Sequence, residues 1–378
     1  MINKQNNPFL DAPLTIGKIT LMGISMIVFI GGVIYGTIRG VFWYICEKNR
    51  ERRLDNFHVI MHKIFKFHLR SHPWLFCDIK NTYKETFERG TIAICNHQSL
   101  IDTLCLLILS PKILIVTGKR VWNNPIIKSV LHFAEFTCVN RPIDELLEYC
   151  RFHIKRGYTI IIFPEGERSL HGHILRFHSG AFYLAKELKT DILPLYIHGT
   201  GHVLPLHKAF QNRARLYVEI GERIPYNLIA DTDTRKLAND IRSQYQLHYE
   251  KLCRELENAE YYSYLVINLF KRGGKSRYAS ALLKQYHNFS EWIDQPFVAN
   301  QYLIIEDHTN GIFTLLFALV HPYTNIYSLN TGSLKKLLEK CHNLPQNIHF
   351  ITNRDFTDTD ISADLLFAVN NIIKVFNS

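Results

Sequence analysis

Residues 91–102 read TIAICNHQSLID, and residues 158–169 read YTIIIFPEGERS. Each opens with a short, β-rich apolar run that stops at polar residues, Thr91–Cys95 before Asn96-His97 and Tyr158–Ile162 before Phe163-Pro164-Glu165. Runs of that length, bounded by turn formers, fit strands buried on both faces. In an open α/β sheet the carboxyl ends of such strands are where ligands are met. The two stretches therefore predict His97 and Asp102 beside one strand end, and Glu165, Gly166 and Arg168 beside another.

Working outward, the same rhythm continues. Further candidate strands are Ile113–Thr117, Phe136–Val139, Ile192–Ile197 and Leu216–Ile220. Candidate helices are Leu100–Leu109, Pro125–Phe133, Ile143–Lys155 and His178–Leu188. This alternation predicts an α/β domain with a mixed or parallel sheet flanked by helices. A segment from Asp233 to Glu257 closes the body as a helix, opened by a cap signal at Asp231–Thr234.

Ahead of this body, Ile19 to Ile38 is a run of twenty residues without a charge. That length suffices to cross a hydrocarbon core of about 30 Å. Arg39, Lys48, Arg50, Arg52 and Arg53 follow it, against Lys4, Lys18 and Asp11 before it. The basic flank predicts a single-pass N-terminal transmembrane helix with the bulk of the chain on the cytoplasmic side of a cell inner membrane. Gly32, Gly36 and Gly40 have the spacing of a close helix–helix contact, which a Gly-rich helix without a partner also shows. Next, Leu54, Phe57, Met61, Ile64 and Phe65 recur at helical spacing. They fit either a helix facing the core or one lying at the membrane interface.

The chain has 378 residues, 47% hydrophobic and 21% charged, an ordinary globular balance. Its net charge is +10, yet from Tyr261 onward ten Lys/Arg face nine Asp/Glu, so the basic excess lies in the N-terminal 260 residues. Such an excess suits nucleic acid, an anionic membrane or a phosphorylated substrate. No nucleic-acid-binding module is recognisable, which leaves the latter two. The eight cysteines are scattered without a C-x-x-C pair, as in a reduced cytosolic domain rather than a disulfide frame or a zinc site.

A histidine five residues before an aspartate can share one side of a turn entering a helix. The carboxylate then fixes the imidazole tautomer, leaving the other nitrogen to take a proton from an alcohol. The pair is read as a His-Asp dyad without a nucleophilic serine of its own, so the substrate hydroxyl is the nucleophile. In the second stretch Gly166 permits close backbone approach, Arg168 offers a fork of donors to a phosphate, and Glu165 can accept from substrate hydroxyls. Arg141, after the Phe136–Val139 run, adds a second cation, and the proline-interrupted run Asp191–Leu195 shapes a wall.

In this order and spacing, N-H-x-x-x-x-D, the strand-end Arg141, F-P-E-G-x-R-S and the proline-containing strand resemble the glycerolipid acyltransferase family, whose best-known members are the 1-acyl-glycerol-3-phosphate acyltransferases. The resemblance covers about Thr91 to Ile220. It implies His97 as general base, Asp102 as its orienting partner, and Arg141, Glu165, Gly166 and Arg168 as the acceptor's binding residues. It further implies an acyl-CoA or acyl-carrier-protein donor, a lysolipid acceptor at a membrane, phospholipid biosynthesis, and neither metal nor separate cofactor. Glu167 stands where the family commonly has threonine, and a lysine often found near the following glycine is absent from Arg176-Phe177-His178-Ser179-Gly180. These departures point to Arg176 and His178 as compensating groups, or to another lipid alcohol as acceptor. The competing reading is a non-catalytic, membrane-tethered protein that binds acyl chains or acyl carriers.

Lys271-Arg272-Gly273-Gly274-Lys275 is a plausible junction. Beyond a helical stretch near Ala279–Trp292, alternation resumes through Tyr302–Ile305, Ile312–Val320, Asn325–Leu329, Leu334–Cys341, Ile348–Ile351 and Leu365–Val369. This resembles the first half of an S-adenosylmethionine-dependent methyltransferase. Its turn, Glu306 to Gly311, keeps one glycine, and Asn330 stands where an acid is expected. The resemblance implies a degenerate, small Rossmann-like module without a cofactor. The expected organisation is an anchor (1–45), an acyltransferase domain (46–260), a helical linker (261–296) and this module (297–378).

Overall fold

A computed structural model describes residues 16–72, 75–169, 172–204 and 214–257. In the C-terminal part it describes 302–307, 311–320, 325–328, 335–336, 348–350 and 372–375. The expected linker helix, the Leu365–Val369 run and Asn330 lie outside these residues.

Thr15–Cys253 forms one compact unit. Two long helices, α1 (Ile16–Cys46) and α2 (Arg50–Arg70), lead into it. Asn49 caps α2 by accepting from the Arg52 N–H. Ring contacts of Phe29 with His68 and of Tyr44 with the Arg53 guanidinium show that the pair runs antiparallel. Then come β1 (Leu75–Lys80), β2 (Thr91–Cys95), α3 (Ile101–Leu107), β3 (Ile113–Thr117), α4 (Lys119–Trp122), α5 (Lys128–Phe133) and β4 (Thr137–Cys138). They are followed by α6 (Ile143–Lys155), β5 (Thr159–Ile162), α7 (Gly180–Glu187), β6 (Ile192–His198), α8 (Thr200–Val203), β7 (Ala214–Ile220), α9 (Tyr226–Ile229) and α10 (Thr234–Leu256).

The seven strands form one sheet in the order β1-β7-β6-β2-β5-β3-β4. β6, β2, β5, β3 and β4 are parallel; β7 runs antiparallel to β6, and β1 parallel to β7. The central strands β2, β3 and β6 are buried along their whole length, as continuous apolar runs require. The mixed, helix-flanked sheet is as expected. β1 is an addition, a mostly exposed edge strand, and the expected Phe136–Val139 strand shortens to Thr137–Cys138.

α2 buries Leu54, Phe57, His58 and Met61, a stripe spaced i, i+3, i+4, i+7, so it faces the core. α1 lies against α2 and α5 through its glycines. A Cβ at Gly32 would come within 2.9 Å of Ile64 Cγ2, and one at Gly40 would collide with the Phe133 ring. The small-residue spacing therefore serves contacts within this chain. The opposite face of α1 leaves Ile27, Ile34, Ile38 and Ile45 exposed.

The second compact unit includes Arg254–Ser378. Here β8 (Tyr302–Asp307), α11 (Ile312–Val320), β9 (Asn325–Ser328), β10 (Ile348–Phe350) and β11 (Ile372–Val375) are described. The four strands are parallel in the order β10-β9-β8-β11, with Phe313, Leu315 and Phe317 of α11 buried.

Candidate active site

The first site group forms where β2 ends and the chain turns into α3. Asp102, in the first turn of α3, is fully buried. One carboxylate oxygen, Oδ2, accepts from the Gln98 N–H at 2.7 Å, the Ser99 N–H at 2.9 Å and His97 Nδ1 at 2.7 Å. A carboxylate on Nδ1 fixes the tautomer: Nδ1 carries the proton and Nε2 is left as the acceptor. Nε2 bonds to nothing among the described residues, and the side chain is 18% exposed. The imidazole stacks on Phe163 at 4.0 Å between ring centroids, so rotation about χ2 is blocked on that face.

The second group comes from the adjacent strand, β5. Its following loop meets the His97 loop through the Ser169 N–H, which donates to His97 O at 2.7 Å. Glu165 Oε1 accepts from the His97 N–H at 2.9 Å, and Oε2 from the Leu175 N–H at 2.8 Å. Burial pushes the Glu165 carboxyl up to about 7, although both N–H donors pull it down. Its carboxylate thus ties three segments together, where hydroxyl recognition was expected. Gly166 has φ +72°, and a Cβ there would lie 3.1 Å from the His178 ring, so a side chain is doubly disfavoured. Glu167, Arg176 and His178 are exposed.

Arg168 is half-buried and makes no ion pair among the described residues. Its guanidinium pKa is lowered by burial and by Arg120, with Asp102 acting in the opposite sense. Arg120 lies in α4, directly after β3, the neighbour of β5. It was missed in the sequence, where Lys119-Arg120 reads as an ordinary polar stretch; its signal is position after a buried strand. Arg141 does follow β4, but its guanidinium turns to Glu145 at 3.8 Å and lies over the Tyr149 ring. β4 is three strands from β2, roughly 14 Å at ordinary strand spacing. The structure thus brings together His97, Asp102, Glu165, Gly166 and Arg168, and engages Arg141 with α6.

A half-buried base with an open nitrogen, the half-buried Arg168 and the exposed Arg120 thus follow the carboxyl ends of parallel strands, an arrangement that can deprotonate a hydroxyl and attract an anion. Residues 43–198 match the acyltransferase family model, and this segment is similar to the glycerolipid acyltransferase family. A 1-acyl-sn-glycerol-3-phosphate acyltransferase of Cocos nucifera is 32% identical over 116 residues, covering 29% of this chain and 37% of that one. One from Chlamydomonas reinhardtii is 27% identical over 150 residues, covering 38% and 45% respectively. The chain thus spans less than half the length of these two curated relatives. The crystal structure of the 1-acyl-sn-glycerophosphate acyltransferase PlsC from Thermotoga maritima has the same fold, with a TM-score of 0.53 and 20% identity, covering 63% of this chain and 96% of that one.

Proposed function

We propose that this protein transfers a fatty acyl group from an acyl-CoA or acyl-carrier-protein thioester to the free hydroxyl of a lysophospholipid, 1-acylglycerol 3-phosphate or a related lipid alcohol. The observation that carries the reading is the His97 imidazole, held by Asp102 at Nδ1 with Nε2 left open. The acceptor hydroxyl gives its proton to Nε2 as its oxygen attacks the thioester carbonyl. Asp102 stabilises the imidazolium that forms. Collapse of the tetrahedral intermediate breaks the C–S bond, and the imidazolium returns the proton to the departing thiolate. Arg168, with Arg120 beside it, supplies the fork geometry for a phosphate. The relatives' names support that acceptor class.

Membrane association is assigned to α1. Its length and composition suffice for a crossing over Met22–Cys46. From Phe29 on, however, it packs beside α2 and α5. We read α1 as the single-pass anchor in the inner membrane, with its exposed isoleucine face toward lipid and the bulk of the chain on the cytoplasmic side. We propose the domain limits 1–45, 46–260, 261–296 and 297–378. For the C-terminal unit, the strand order third-second-first-fourth supports a Rossmann-like half.

The test presents purified full chain in vesicles with acyl-CoA or acyl carrier protein donors. Acceptors are 1-acylglycerol 3-phosphate, other lysolipids and acylated amino-acid lipids, with products read by mass spectrometry. A diacyl product absent with His97→Ala supports the reading. No product from any pair, with folded protein, overturns it.

A further inference from the structure

Helix α10 lies outside the segment that matches the acyltransferase family, yet three of its side chains reach the loops around His97. Arg242, Tyr245 and Tyr249 are spaced i, i+3, i+7 and so share one face. Each holds a different segment.

The Tyr245 hydroxyl accepts from the Asn96 N–H at 3.0 Å. Its own proton points to Leu195 O at 2.5 Å or Asn96 Oδ1 at 2.9 Å. The Asn96 amide in turn donates to Ile197 O at 2.8 Å and accepts from the Ile197 N–H at 2.9 Å, so residue 96 is clamped to both β6 and α10. On the other side of His97, the Gln98 amide donates to the Tyr249 hydroxyl at 2.5 Å. Arg242 donates to Leu175 O at 2.8 Å and Ile174 O at 3.1 Å. That steadies the segment whose Leu175 N–H holds Glu165, which itself accepts from the His97 N–H.

We propose that Tyr245 and Tyr249 are positioning residues: their hydroxyls hold the Asn96 N–H and the Gln98 side chain, on the residues before and after His97, and thereby keep Nε2 where the acceptor hydroxyl is deprotonated. Both tyrosines are buried, at 2% and 4% exposure. The Tyr245 ring already packs on Phe177 and Tyr196, a role phenylalanine would fill equally. A buried hydroxyl is costly unless bonded, so apolar packing alone gives no reason for two of them on this face. Both bond to residues adjacent to the base.

The inference rests on the acyltransferase reading, so wild-type and His97→Ala turnover on 1-acylglycerol 3-phosphate is measured first. Tyr245→Phe and Tyr249→Phe keep the rings and remove the hydroxyls. Each is expected to lower kcat roughly 10- to 100-fold while KM for donor and acceptor stays within about threefold, the signature of a misplaced base rather than lost binding. Tyr158→Phe is the control. It removes another hydroxyl, one that donates to Asp55 at 2.6 Å, and it should leave kcat unchanged. Nitrogen-15 NMR of histidine-labelled full chain reads the His97 tautomer without turnover. The Nδ1–H signal is expected to be sharp in wild type and broadened in both variants. Should Tyr245→Phe fail to fold, Tyr249→Phe carries both measurements. Wild-type kcat in a folded variant, an equal loss in Tyr158→Phe, or an unchanged His97 signal overturns the proposal. Absence of wild-type turnover with a broadened variant signal overturns the acyltransferase reading and leaves the positioning role standing.

Discussion

Replacing Asp102 with asparagine isolates charge from geometry at the centre of the site. Oδ2 is pinned by the Gln98 and Ser99 N–H groups as well as by His97, whereas Oδ1 has no partner among the described residues. An asparagine carbonyl placed at Oδ2 would keep both backbone donors and the Nδ1–H tautomer, with its amide in the unpartnered position. What disappears is the negative charge facing the imidazolium. Two unit charges about 4 Å apart, in a site of effective dielectric near 20, interact by about 4 kcal/mol. That is roughly a thousandfold in kcat. Stability should move less, by about 1–3 kcal/mol, because an unpaired amide replaces an incompletely paired buried carboxylate. The assay is single-turnover acyl transfer to 1-acylglycerol 3-phosphate, with thermal unfolding in the same detergent. A folded Asp102→Asn protein within threefold of wild-type kcat would refute the role assigned to the dyad.

The other expectations concern binding, pH and packing. Arg168→Ala should raise KM for a phosphate-bearing acceptor roughly tenfold, with a smaller rise for Arg120→Ala and little change for an uncharged lipid alcohol; equal effects on both acceptors would remove the phosphate assignment. Glu165, ordinarily at 4.5, is raised to about 7 in the fold. The native state therefore holds its proton more tightly, and the associated stability is full below pH 4.5 and is lost as pH rises through 7, by about 3 kcal/mol. Chemical-denaturation midpoints between pH 5 and 8 should fall in wild type and flatten in Glu165→Gln; parallel curves would contradict the shift. A Cβ at Gly40 meets the Phe133 ring, while one at Gly31 meets open space. Gly40→Ala should destabilise by about 1–3 kcal/mol and Gly31→Ala should not, read by thermal unfolding in detergent; the reverse order would contradict the docking of α1.

Much of the sheet was legible because its central strands are buried on both faces and so carry uninterrupted apolar runs. Thr91–Cys95 and Ile113–Thr117 match their expected limits for this reason. β1 escaped notice because only Leu75 of its six residues is buried, and because its register is set by β7, some 140 residues away. The glycine spacing in α1 was visible, but its partners, Ile64 and Phe133, could be supplied only by the folded chain. At the site, His97 and Asp102 were readable because their contact is local, across one turn. Arg141 was placed correctly after its strand, yet Glu145, four residues on in the first turn of α6, takes its guanidinium.

What remained hidden shares one physical origin. The chemical groups lie close to their strands in sequence, since a turn of a few residues suffices to present them. Holding them still requires donors and acceptors from elsewhere, because a loop cannot saturate its own peptides. The Asn96 peptide N–H is buried at a strand end and takes its acceptor, the Tyr245 hydroxyl, from 149 residues away. Tyr249 reaches Gln98 across 151. A helix read by periodicity reveals only that such residues face inward, and an inward tyrosine looks like core. Its hydroxyl acquires meaning when the strand end it meets is known. The chemistry is thus written in short local motifs, and its precision in a helix that those motifs do not contain.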